Sequence, residues 1–130
     1  MAVTISGSDG VTFPDGITQS QGMAYFQSAE QTITAAGSLT IAHGLGRKPT
    51  LIAGFLICKT AQAGYSIGDE ICIGFVDTNT NNGVTVVPDA TNLVCRYGSA
   101  ASTFIGLNKT TGASISLTNT NFRLILRAWS

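Results

Sequence analysis

The chain has 130 residues and a mass of 13.5 kDa, the size of one domain with a core of its own. Seven Lys/Arg offset seven Asp/Glu, so the formal net charge is zero, which argues against nucleic acid as a partner, since phosphate binding needs a basic face. Only 11% of residues are charged, against about 25% in an ordinary domain. Hydrophobic residues make up 44%, and 17 Thr, 11 Ser and 7 Asn supply most of the polar remainder. Such a chain is over-apolar for a monomer, and burial between copies is the physical expectation. The charges are also unevenly placed. Residues 1–46 hold Asp9, Asp15 and Glu30 with no Lys or Arg, and all seven basic residues follow.

The longest apolar run, Leu51 to Cys58, is eight residues, too short for a membrane-spanning helix. The opening MAVTISGSDG has neither a basic n-region nor an apolar h-region, so synthesis in a cytosol without export by the usual secretory route is expected. Cys58, Cys72 and Cys95 are odd in number and match no zinc spacing. Each sits in an apolar run and reads as a buried small hydrophobe.

The first 22 residues contain two short extended pieces, Val3–Ser6 and Val11–Phe13, and a Pro-Asp-Gly turn at 14–16. They lack the apolar content to fold alone and read as an extended arm, with residues 23–130 forming the domain. Gly22–Glu30 is the one stretch that reads as a short helical turn. From there Val/Ile/Phe/Thr-rich runs alternate with Gly/Asn/Asp/Ser punctuation. Strands are predicted near 31–34, 38–43, 50–58, 71–77, 83–88, 92–97, 103–108, 113–118 and 121–129. Short strands about ten residues apart predict an all-β fold, an antiparallel β-sandwich of jelly-roll or lectin-like type.

Leu51–Cys58 is apolar at every position and predicts a central strand covered on both sides. The last run splits by alternation. Phe122, Leu124, Leu126 and Ala128 form one face, and Arg123, Ile125, Arg127 and Trp129 the other. That second face, with Phe13 of the arm, is the expected subunit interface. Asn82-Gly83 predicts a type I′ hairpin turn, and Thr111-Gly112 a similar one.

The sequence offers little catalytic chemistry. His43 is the only histidine, no G-x-S-x-G accompanies it, and it reads as a packed turn residue. Asp69 and Glu70 are adjacent and point to opposite faces if extended, which does not make a glycosidase pair. Asp77–Gly83 opens like a calcium loop, but its glycine comes one place late and Pro88 stands where the bidentate Glu is needed. Gly44–Pro49 is a turn rather than a phosphate loop, since no helix follows. The expectation is a protein that is not an enzyme, with no cofactor and no metal. Aromatic and polar groups do coincide in two places, Tyr65 with Asp69 and Glu70, and Arg96 with Tyr97. Ring faces beside carboxylate or guanidinium groups suit a sugar, so these five are the candidate ligand-binding residues.

Val11-Thr12-Phe13-Pro14-Asp15-Gly16-Ile17-Thr18-Gln19 resembles the V-x-F-P-D-G-T-x-Q phrase of bacteriophage tail-fibre stalks. Leu39–Thr50, followed by Lys59-Thr60, Gly64–Glu70 and the terminal Arg127-Ala128-Trp129, is similar to β-rich C-terminal domains of phage tail proteins. The resemblance implies a homotrimeric virion protein, a short tail fibre or spike whose arm attaches to other virion proteins and whose domain meets host-surface glycan. Met1 stands only ten residues before the stalk phrase, a departure from long-shafted fibres, and no H-x-H iron-binding pair is present. A capsid head fibre or decoration protein without receptor binding is the alternative within the virion. A free carbohydrate-binding lectin-like module is the alternative outside it, and a polysaccharide depolymerase ranks below both.

Overall fold

A computed structural model describes residues 2–6, 10–19, 22–74, 76–77 and 80–130. The fold is all-β, an antiparallel β-sandwich. Its first sheet takes β4 (Tyr25–Gln27), β6 (Leu51–Cys58), β7 (Glu70–Ile73) and β13 (Phe122–Trp129), in the order β4-β13-β6-β7. Its second takes β5 (Ser38–Ala42), β8 (Val76–Asp77), β9 (Asn82–Pro88) and β10 (Asn92–Tyr97), in the order β5-β10-β9-β8. A hairpin of β11 (Phe104–Leu107) and β12 (Ser114–Leu117) adds a separate ribbon, and a short 3-10 turn at Asn119–Asn121 leads into β13. No helix among the described residues is long and apolar enough to cross a membrane.

The two sheets meet through the apolar faces that alternation separates. Leu56, Phe122, Leu124, Leu126 and Ala128 from the first sheet close on Val84, Leu93 and Cys95 from the second. Phe104 and Leu117 of the hairpin complete this core. β13 pairs with β6 over its whole length, Phe122 opposite Cys58 through to Trp129 opposite Leu51. β6 is central, as predicted, but its outer side is only half-covered in one chain, and Leu51 is 59% exposed. The expectation of cover on both sides is therefore corrected.

Four other expectations change. Gly22–Glu30 contains a strand rather than a helical turn. The free edge of β13 supplies the partners: Ala24 and Ser130 exchange backbone hydrogen bonds, and Tyr25–Gln27 form a ladder. Ser28 continues it, its N–H donating to the Leu126 carbonyl while its Oγ accepts from the Leu126 N–H at 3.0 Å. Residues 31–34 form only one bridge, Gln31 to Leu124, and no strand. Asn82-Gly83 lies inside β9, opposite Asp77 and Val76, so the type I′ turn is not there. Residues 78 and 79, between β8 and β9 in the sequence, lie outside the described residues. Cys58 and Cys95 are buried as expected, whereas Cys72 is exposed because its place in β7 faces outward.

Thr111-Gly112 does lie in a hairpin turn, but Gly112 alone has a positive φ, of 71°. The Asn108 side chain makes the bend by accepting from the N–H groups of Thr110 and Thr111. The arm residues form their own antiparallel ribbon, β1 (Thr4–Ser6), β2 (Gly10–Thr12) and β3 (Thr18–Gln19). Pro14-Asp15-Gly16 closes β2 onto β3: Gly16 N–H donates to the Phe13 carbonyl and Asp15 Oδ1 accepts from the Ile17 N–H. The core takes no side chain from before Phe26 among the described residues.

Candidate functional site

The loop between β6 and β7 carries the first group of predicted ligand contacts. Ala63 and Gly64 turn it through positive φ, and the Tyr65 hydroxyl donates to the Leu107 carbonyl of β11 at 2.7 Å. Asp69 accepts from the Lys109 ammonium at 2.6 Å and from the Ser66 N–H at 3.0 Å. The Lys109 bond first, and the Ser66 bond after it, hold the Asp69 carboxyl below its ordinary value. Tyr65 and Asp69 thus fasten the loop to the hairpin. Gln62 reinforces this, its Nε2 donating to the Ser116 carbonyl and its Oε1 accepting from the Thr118 N–H.

Glu70 turns the other way, onto the outer face of the first sheet. Both its carboxylate oxygens accept from Arg127 Nη2 at 2.9 Å. Arg127 Nε donates to Gln27 Oε1, and its guanidinium carbon lies 4.3 Å from the centre of the Phe55 ring. The guanidinium is therefore held by a carboxylate, an amide and an aromatic face together. Trp129 tilts against Tyr25, with ring centres 5.4 Å apart. Beside this pair the aliphatic side chain of Leu51 is exposed on the strand opposite Trp129. Arg123 is half-buried and donates to the Thr120 and Phe122 carbonyls.

Of the predicted interface residues, Arg123, Arg127 and Trp129 share this face, and Phe13 is exposed on the arm. Ile125 is corrected. It is 3% exposed, flanked on its strand by Arg123 and Arg127 and paired with Phe55, so its own chain already covers it. Alternation assigns its face rightly and misjudges its access.

Arg96 and Tyr97 lie on the other sheet, so the structure does not bring them to Tyr65, Asp69 and Glu70. Arg96 faces outward, donates from Nη1 to the Ala36 carbonyl at 2.9 Å, and forms one wall of a concavity of about 410 Å³. Asn81, Thr85 and Ser99 add amide and hydroxyl groups to its lining. Tyr97 as an exposed ligand contact is corrected. Its ring is 2% exposed and meets Phe104 edge-on, because β10 directs Leu93, Cys95 and Tyr97 inward together. Burial, and then the neighbouring Cys95, push the Tyr97 phenol well above its ordinary value. Burial alone raises the Cys95 thiol to about 11. Neither group reacts or ionises readily near neutrality.

His43 is buried, with Nδ1 accepting from the Leu45 N–H and Nε2 paired with the Asp89 carbonyl, both at 3.1 Å. It spans two turns, and among the described residues it has no nucleophile as a partner. Among the described residues, no three His, Cys, Asp or Glu side chains cluster as metal ligands do.

Sequence reasoning missed Phe55, Tyr25 and Gln62. For Phe55 the signal was present, since pairing the two long apolar runs places a ring beside an arginine. Gln62 acts by bridging residues more than fifty positions away, which no local pattern reveals. No protein-family model, characterised protein or solved structure matches this chain.

Proposed function

We propose that the chain is a structural subunit of a bacteriophage particle, a short tail fibre or spike that works as a homotrimer and meets host-surface glycan. The observation that carries this reading is the segment Val11–Gln19. It resembles the tail-fibre stalk phrase, with Ile17 where the phrase has Thr, it forms a ribbon outside the sandwich core, and Phe13 and Ile17 are exposed on it. The outer face of the first sheet supports the trimer. Tyr25, Leu51 and Trp129 make an aromatic-aliphatic surface beside the Arg127–Glu70 pair, with the composition of an interface centre. For glycan, the concavity beside Arg96 is the best-supported site, because Arg96 spends one nitrogen on Ala36 and keeps its other donors.

A second reading, capsid decoration without a receptor, draws on one observation. Tyr65, Asp69 and Glu70 are all engaged in bonds within the chain. Immunogold electron microscopy of phage particles with antibody against the full chain decides between them. Label at the tail tip is the expected result. Label over the head establishes decoration, and particles that never carry the chain overturn both readings.

A further inference from the structure

The two sheet-one edges are unlike, and the difference has a consequence for assembly. β7 pairs with β6 on one side, and among the described residues its other edge is unpaired. β11 pairs with β12 on one side, and no backbone hydrogen bond joins it to β7 among the described residues. The two strands belong to different sheets and are not paired with each other. Between them lies an apolar slot of about 300 Å³. Phe104 and Leu117, both buried, and Ile71 and Ile73, half-buried, form its lining. Tyr65 closes one end through its bond to the Leu107 carbonyl. At the other end Gly74 is open, with nothing near the position a Cβ would take. Two unpaired edges flanking an apolar slot make the template for an added strand.

The same chain carries a strand with the complementary defect. From Ala2 to Ser6 there is no charge and no proline, and Val3 and Ile5 point to one side of β1. Ile5 is 81% exposed and Val3 51%, and the core receives neither. β1 is held by a three-residue ladder to β2 alone.

The topology selects which copy supplies the strand. The arm enters the sandwich at β4, one edge of the first sheet, and the slot opens beside β7, the opposite edge. Donor and acceptor on opposite edges make a head-to-tail contact, which closes into a ring when repeated by rotation. We infer that β1 of one copy leaves its three-residue ladder with β2 and inserts between β7 and β11 of the next, with Val3 and Ile5 turned into the slot. Each copy then gives one strand and receives one. This inference rests on the trimer of the proposed function and names the element that builds it.

The insertion specifies a cross-link. With Val3 and Ile5 inward, Thr4 faces outward beside Cys72, the outward and exposed thiol of β7. Cys58 and Cys95 are buried and do not compete. The full-length Thr4→Cys variant is oxidised with copper-phenanthroline and run on a non-reducing gel, and the unmodified protein is weighed by native mass spectrometry. A ladder of covalent dimer and trimer that collapses in Thr4→Cys/Cys72→Ser, and that Ile5→Cys fails to reproduce, is the expected result. A native trimer without the ladder overturns strand insertion and leaves the trimer standing. A link formed only within one chain overturns exchange between copies. A strict monomer overturns both the insertion and the trimer.

Discussion

His43 ties two turns together through both ring nitrogens, so its proton sits on Nε2, where it donates to the Asp89 carbonyl. His43→Ala leaves that carbonyl and the Leu45 N–H unpaired. A loss of about 1–3 kcal/mol in urea unfolding is expected, without change in binding at the Arg96 concavity. Tyr97 behaves oppositely. Its hydroxyl is buried with no hydrogen-bond partner among the described residues, so Tyr97→Phe removes a desolvated group at constant shape. Urea unfolding of that variant is expected to match or exceed the parent, and a clear loss of stability would show that the hydroxyl has a structural partner. Asp89 accepts from the Thr91 N–H first and the Asn92 N–H second, which holds its carboxyl below the ordinary 3.8. A lowered folded-state value means stability that is present above 3.8 and lost as pH falls through the folded value. Asp69 acts in the same direction. Melting temperatures measured from pH 6 downward are expected to fall in that acid range. Asp69→Asn/Asp89→Asn is expected to fall less steeply.

At the scale of elements, the close approach of the loop before β9 to the end of β10 depends on one glycine. A Cβ at Gly98 would collide with the Asn81 carbonyl, so Gly98→Ala must push the two backbones apart. A loss of about 1–3 kcal/mol is expected by denaturant titration, with the outer face of the first sheet unaffected. The long strands were legible because their chemistry is local. Phe122–Trp129 alternates and so marks its core face, whereas the unbroken apolar run Leu51–Cys58 marks a central strand and conceals that its outer side is only half-covered. Alternation also placed Tyr97 in line with Leu93 and Cys95, a signal that the attraction of an Arg-Tyr pair concealed. The strand at Tyr25–Gln27 was not legible, since its partner lies a hundred residues away and tertiary pairing outweighs local propensity. Asn82-Gly83 misled for a related reason. Gly83 does take a positive φ, of 100°, but within a paired strand. The candidate site was legible as residue types and not as groupings. Asp69 and Glu70 diverge as alternation requires, yet their partners, Lys109 of the β11–β12 turn and Arg127 of β13, come from far along the chain.

For the whole molecule, the scarcity of charge and the half-covered outer face have one explanation. Among the described residues the acidic groups with ion-pair partners are Glu30, Asp69 and Glu70, matched to Lys59, Lys109 and Arg127. Leu51, Tyr25 and Ile5 are left in water in a single copy. Burial of apolar area between copies stabilises by about 25 cal/mol per Å², which favours association over exposure. The arm ribbon has too little apolar surface to stand alone, and in the proposed assembly a neighbour supplies what its own core withholds. The most direct measurement is native mass spectrometry of the full chain at micromolar concentration, beside the chain lacking residues 1–6. The full chain is expected at three times 13.5 kDa and the shortened chain at a lower order. A full chain that stays at 13.5 kDa would contradict assembly.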